Sequence, residues 1–265
     1  MKMSPARIAL AVYFVIGVIF LIFPLIMLVP LSFGDSQFLQ FPPQKLSWRW
    51  YAEFFHDESW LAATLLSLRI GIGATVISLF FGTLAAVALV RGQFVGRGIL
   101  MSLMVAPLVL PTVILALALY ILFLRWRWVD NAVALTFAHA VIALPYVILV
   151  VSTALKGFDI TIERAARILG AGPIRAFTSV TLPYLMPSLF AGGLLAFFAS
   201  FDELIVTLFV SGGLQTLPVR IWTDLKLRLD PTVAAVACML IVVSVLGMGL
   251  AEYFRQRNLR RYHNS

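Results

Sequence analysis

The chain has 265 residues, 62% of them hydrophobic and only 12% charged, and carries a formal net charge of +8 with a mean hydropathy of +0.99. Soluble domains hold roughly 45–50% apolar residues, so an ordinary soluble fold is excluded and an all-α polytopic membrane protein is implied. The positive charge invites a nucleic-acid reading, which fails because the basic residues fall in the connections between apolar runs. One cysteine, Cys238, excludes an internal disulfide framework, and His56, His139 and His263 lack metal-ligand spacing. No G-x-x-x-x-G-K-S/T phosphate loop occurs, so any ATP that drives this protein is hydrolysed on another chain, and no cofactor is expected in this one.

Lys2 and Arg7 precede an apolar run from Ile8 to Leu31, which as a helix spans about 36 Å. It is too long for a signal-peptide core and lacks a small-residue cleavage site, so it reads as a retained first span, 8–31. Residues 32–60 are polar and aromatic, a loop or interfacial segment. A second span covers 62–90, and Arg91 to Arg97 forms a short basic turn. The third, 99–124, contains Pro107 and Pro111, which remove backbone donors and predict a kink. The fourth covers 132–155, with Asp130-Asn131 as its cap.

The connection 156–183 is the one long polar-bearing interruption of the second half. Ile162, Ala165, Ala166 and Leu169 recur at helical spacing between Glu163, Arg164 and Arg167, which predicts a short amphipathic helix. Gly170 closes it, and Gly172-Pro173 opens a second short helix to about Val180. Such a helix-turn-helix cannot sit in hydrocarbon and belongs at a membrane face or in a partner's cleft.

A fifth span, 184–210, carries adjacent acids, Asp202 and Glu203, with Phe197, Phe198 and Phe201 beside them. Intramembrane carboxylates cost at least a few kcal/mol each unless paired or wetted and mark a functional site by default. Two roles compete: pairing with Arg69, at comparable depth in the second span, or lining a cation path whose aromatic rings also meet ammonium groups. In the segment 211–230, Ile221, Leu225 and Leu229 suggest a short surface helix. Asp230-Pro231 starts the sixth span, 232–253, and a basic tail from Arg255 to Arg261 follows. His139 reads as a histidine satisfied by a neighbouring helix. Gly71, Gly73, Gly247 and Gly249 read as close helix contacts.

Six spans place both termini on one side. Twelve Lys and Arg residues fall on that face and eight on the other, which makes the termini and the 156–183 connection cytoplasmic by the positive-inside rule. All six tryptophans, Trp48, Trp50, Trp60, Trp126, Trp128 and Trp222, fall in connections of the opposite face, suggesting an outer interfacial belt.

Glu163 to Pro183, ERAARILGAGPIRAFTSVTLP, resembles the signature loop of the membrane subunits of binding-protein-dependent ABC importers. That pattern is Glu-Ala-Ala, three residues, Gly, nine residues, Ile or Val, any residue, Leu-Pro. Ala165, Ala166, Gly170, Val180, Leu182 and Pro183 stand at its positions, whereas its glutamate falls on Arg164, with Glu163 displaced one place. The segments LSWRWYAEFF (Leu46 to Phe55), LKGFD (Leu155 to Asp159), SFDELIVTLFVSG (Ser200 to Gly212), TLPVRIW (Thr216 to Trp222) and LDPTVAAVA (Leu229 to Ala237) are similar to the spermidine/putrescine-type branch.

The resemblance implies six transmembrane helices of the ABC importer permease fold, with a cytoplasmic coupling helix between the fourth and fifth. It implies a single transmembrane domain over the whole chain, in a bacterial-type inner membrane. Its partners would be a pair of cytoplasmic ATPases, a second permease subunit around a shared path, and an extracytoplasmic substrate-binding protein. The chain itself would be non-catalytic and would import polyamines. Glu163, Arg164, Ala165, Ala166, Arg167, Gly170, Leu182 and Pro183 would couple it to the ATPase, and Asp202, Glu203, Phe201 and Phe198 would line the path. The alternatives are the same machinery for ferric iron or opine-like solutes, and an ion-coupled secondary transporter. Against the latter stand the single acid pair, the absence of an evident inverted repeat and a loop without purpose in the absence of an ATPase.

Overall fold

The computed structural model describes residues 5–227 and 230–263; Lys2 and Leu229 lie outside them. Among the described residues the regular secondary structure is helical, with one isolated bridge between Gly34 and Leu46. The α-helices are α1 (Pro5–Ser32), α2 (Arg49–His56), α3 (Glu58–Arg91), α4 (Arg97–Val105), α5 (Thr112–Trp126), α6 (Ala132–Lys156), α7 (Ile160–Ile168), α8 (Pro173–Ala176), α9 (Leu182–Phe201), α10 (Ile205–Val210), α11 (Leu217–Leu227) and α12 (Thr232–His263).

Four stretches are long and apolar enough to cross a membrane: Leu10–Ser32, Glu58–Arg91, Ala132–Lys156 and Pro173–Phe201. A fifth is added if Arg97–Leu108 and Thr112–Trp126 count as one span, bent by 101°. The apolar stretch that opens α12, Thr232–Gly247, is shorter. Length and apolarity therefore identify four or five of the six expected spans. The bend falls at the two prolines. Pro107 sits in a 3-10 turn, Ala106–Leu108, whose Ala106 carbonyl takes the N–H groups of both Val109 and Leu110. Pro111 is extended (φ −56°, ψ 125°), and its carbonyl accepts from Ile114 and Leu115 to start α5. The backbone therefore changes direction without orphaning those groups.

The chain packs as two compact units, one formed by the described residues up to Leu61 and from Ile221 onward, the other by Ala62–Arg220. In the first, α12 packs on α1 and on α2. Ser32 shares a 2.8 Å hydrogen bond with the Tyr51 hydroxyl, and Trp50 Nε1 donates to the Gly34 carbonyl at 2.7 Å. Trp50 and Trp60 are buried, Trp60 with its ring 6.0 Å from Phe54. The expected belt of six tryptophans thus fails for these two, whose rings pack inside the unit, and Trp50, with its N–H satisfied by Gly34, gains nothing at a headgroup surface. Trp48, Trp126, Trp128 and Trp222 are exposed.

In the second unit α6 runs through two cores. Ile70 of α3, Ala116, Leu119 and Phe123 of α5, and Val206 and Val210 of α10 surround Ala134, Leu135 and Ala138 of α6. Ala86 of α3, with Leu185 and Ala196 of α9, surround Ala143, Val147, Val151 and Leu155 further along. Between helices in lipid the gain comes from van der Waals contact and not from escape from water, so small residues that allow close approach carry the packing. A Cβ on Gly73 would meet Thr136 at 2.8 Å, and one on Gly82 would meet Val147 at 2.9 Å. Gly71 likewise faces Phe197. Gly247 and Gly249, expected at close contacts, have nothing within 4 Å among the described residues.

Gly82→Leu is expected to destabilise the detergent-solubilised protein by about 1–3 kcal/mol through overpacking. Gly17→Ala, at an uncrowded position of α1, serves as the control, and thermal unfolding monitored by circular dichroism reads both.

Candidate functional site

The connection after α6 folds as the sequence dictates at its ends. Asp159 Oδ1 accepts from the Thr161 N–H at 2.9 Å and caps α7. That bond from the Thr161 backbone, with a further one from its side chain, holds the carboxyl below its usual range, so the cap stays ionised through the neutral range. The helix ends where Gly170 adopts φ +93°, a region closed to most side chains. The Ala171 N–H then bonds the Ala166 carbonyl at 3.1 Å. Pro173 occupies the first turn of α8, as its missing N–H allows.

The second short helix differs from expectation. α8 ends at Ala176 and passes through a π-turn, Phe177–Thr181, directly into α9. Within it the Leu182 N–H reaches the Phe177 carbonyl five residues back. Leu182 and Pro183 thus begin α9 rather than follow a loop.

The facing of α7 also departs from the amphipathic reading. Glu163 is buried, while Arg164, Ala165, Arg167 and Gly170 are exposed and Ala166 is half-buried. The apolar side chains point outward: Ile168 is 86% exposed, Leu169 88% and Ile174, on α8, 81%. An acid turns inward against helical periodicity because a cation waits there. Arg91, the last residue of α3, places Nη1 2.8 Å from Glu163 Oε2. Its Nη2 donates to Thr181 Oγ1 at 3.2 Å, and the Thr181 hydroxyl donates to the same Glu163 oxygen. The guanidinium lies 5.8 Å from the Phe158 ring centre and 6.0 Å from that of Phe177, within cation–π range. Three segments of the chain meet on one charge pair. Arg91 and Thr181 were not singled out from sequence; the available signal was an arginine ending an apolar run.

The acid pair breaks the fifth span in two. α9 ends at Phe201, and α10 begins at Ile205. Asp202 is exposed and Glu203 half-buried, with Phe198 and Phe201 half-buried on the preceding turn and the Phe197 and Phe201 rings stacked at 5.4 Å. Glu203 Oε1 accepts from the Val206 N–H at 2.9 Å and caps α10. Arg69 does not reach either acid. It lies on the exposed face of α3 with Leu65, Leu68, Ile72 and Val76, while Ser67 and Ile70 turn inward. The pairing alternative is therefore not realised within this chain.

His139 of α6 fastens the break. Its Nδ1 lies 2.9 Å from both the Ser200 carbonyl and the Ser200 hydroxyl, and its Nε2 lies 2.9 Å from Thr207 Oγ1. The Thr207 hydroxyl in turn donates to the Glu203 carbonyl at 3.1 Å. One ring nitrogen donates and the other accepts, and the Ser200 and Thr207 hydroxyls can each fill the complementary role. The Glu203 carbonyl, in the break itself, is thereby satisfied by a residue of the next helix. At the neighbouring turn Asn131 caps α6 by accepting from the Val133 N–H at 2.8 Å, whereas Asp130 accepts from the Gly213 N–H at 3.0 Å.

A family model described as "Binding-protein-dependent transport system inner membrane component" matches residues 78–260. The chain is similar to the putrescine transport system permease protein PotI of Escherichia coli (strain K12), 36% identical over 97% of this chain and 96% of that protein. It is also similar to the spermidine/putrescine transport system permease protein PotC of the same strain, 32% identical over 86% of each. Among solved structures, a bacterial ABC transporter involved in import of the acidic polysaccharide alginate aligns with a TM-score of 0.71 at 16% identity, covering 97% of this chain and 99% of that chain. That likeness concerns the fold.

His139→Leu is expected to leave the Ser200 and Thr207 hydroxyls without their shared partner and to destabilise the protein by about 1–3 kcal/mol. His139→Gln recovers part of the loss, and thermal unfolding of both variants in detergent measures it.

Proposed function

Because the chain belongs to the family of binding-protein-dependent transport system inner membrane components and is a permease subunit, we propose that it lines the path of an ABC importer for polyamine-like cations. In this reading α7 and α8 dock in a cleft of a separate cytoplasmic ATPase pair, the termini are cytoplasmic, a second permease subunit completes the path, and an extracytoplasmic binding protein delivers the cargo. The chain performs no covalent chemistry and holds no cofactor. Family membership sets aside the ion-coupled secondary transporter.

The observation that carries the docking reading is the outward face of α7 and α8. Ile168, Leu169 and Ile174 stand clear of the chain between Arg164, Arg167 and Arg175, and a cluster of large apolar side chains ringed by charge is a surface that partners cover. Arg164, where the family pattern has an acid, belongs to this face. Glu163 does not. Ala165, half-buried Ala166 and Gly170 leave the backbone approachable there.

The cargo reading rests on the relatives' transport of putrescine and spermidine together with the break in span five. A flexible polycation is met by a carboxylate that no arginine among the described residues neutralises and by neighbouring ring faces. Asp202 provides the first and Phe198 and Phe201 the second. Glu203, occupied in capping α10, holds the break open as well as adding charge.

In proteoliposomes carrying the complete transporter, Asp202→Asn is expected to cut putrescine uptake tenfold or more with assembly unchanged; unchanged uptake removes the path role. Gly170→Trp is expected to abolish transport, because the indole fills the docking face. Gly170→Asn, which tolerates the left-handed backbone, loses far less. Coupled transport by the Trp variant would show that this glycine does no more than close the helix.

A further inference from the structure

We propose that Arg91 is a positioning residue for energy coupling: it carries movement of the coupling segment into α3, so that three membrane segments and not two are driven from the ATPase. The inference rests on the docking reading above and goes beyond it.

By chain connectivity alone, a push on α7 reaches α6 on one side and α9 on the other. α3 is remote in sequence, ending 72 residues before Glu163. The ring of contacts at Arg91 removes that remoteness. Glu163 lies on α7, Thr181 ends the π-turn leading into α9, and Arg91 is the terminal residue of α3. Each member holds the other two, by the ion pair, the Nη2 bond to the threonine hydroxyl, and the hydroxyl bond to the carboxylate.

The donor count closes. The threonine's one proton goes to the carboxylate while its lone pair receives the guanidinium, so the hydroxyl serves both neighbours at once without competition between them. Thr181 is fully buried and Glu163 nearly so. Separating Arg91 from Glu163 therefore strands a buried carboxylate, which makes a ring of this kind move as a body rather than come apart. Phe158 and Phe177, on either side of Glu163 in sequence, add contacts to the guanidinium from the lead-in to α7 and from the π-turn.

The arrangement also explains why the acid of this segment sits at 163. An acid on the outward face at 164 meets a partner protein, whereas an acid one residue earlier, about 100° round the helix, meets Arg91.

The test uses the complete complex with its ATPase and second permease subunit, Cys238 replaced by alanine, and a bimane fluorophore on Ile72→Cys of α3 or on Phe190→Cys of α9. Both positions are exposed on their helices. ATP with vanadate is expected to change the fluorescence at both. In Arg91→Gln the change at 72 falls at least fivefold while that at 190 stays within twofold. Arg91→Glu loses the response at 72, and adding Glu163→Arg restores it to within twofold. The proposal is overturned by an unaltered response at 72 in Arg91→Gln, by equal loss at both positions, by a wild-type response at 190 without one at 72, or by a charge swap that restores nothing.

If Arg91→Gln does not assemble, Thr181→Val, which removes only the hydroxyl, is read in its place. A twofold or larger loss at 72 supports the strut, and no loss overturns it. Failure of the docking reading looks different: the ATPase does not co-purify with the wild-type chain, or neither position responds in the wild-type complex, and the strut then falls with it.

Discussion

Inside a bilayer no water is available to satisfy a backbone N–H or C=O, and that requirement governs every irregularity in this chain. The bend between α4 and α5 is built from prolines that lack the donor and from two carbonyls, of Ala106 and Pro111, that each take two N–H groups. The π-turn ahead of α9 keeps its bonds by reaching five residues instead of four. The break between α9 and α10 is closed by Glu203, Thr207 and His139. Straight helices need none of this, so side chains with polar groups collect where the backbone departs from α geometry.

Charge follows the same economy at two places with opposite outcomes. Glu163 is enclosed and answered by a guanidinium and a hydroxyl, so its charge holds segments together and offers nothing to a ligand. Asp202 is exposed and answered by no arginine among the described residues, so its charge is left open to the surroundings. Glu203 stands between these cases, spending one oxygen on a helix cap. Burial and partner count, rather than the presence of an acid, separate a strut from a binding group.

The membrane class and several helix ends were legible from residues alone. Apolar run length locates α1, α3 and α6, and Asn131 and Gly170 act where their chemistry places them. Facing was not legible. Helical periodicity puts Ile162, Ala165, Ala166 and Leu169 inward on α7, yet the inward residue is Glu163, because its partner comes from an arginine far away in the chain. The same limit applies to His139, whose partners at 200 and 207 are 61 and 68 residues away. Depth along two helices suggested Arg69 for the acids, but depth does not fix which way a side chain points. Short-range patterns report local structure; contacts between distant segments depend on helix rotation, which periodicity leaves free when both sides of a helix are apolar.

The π-turn is where local and distant requirements are reconciled. In an α-helix, residues five apart lie about 140° from one another, so Ala176 and Thr181 could not both turn inward along an uninterrupted helix. Bonding five residues back brings them to one side, and both are fully buried. α8 can then present Ile174 outward while Thr181 faces Glu163 and Arg91, and Leu185, one turn on, enters the core against α6. Pro183 favours this register by removing the N–H that the next α-helical bond would have used. One widened turn thus lets a single continuous helix meet three neighbours, with the outward surface at its start, the charged ring at its middle and the membrane core beyond.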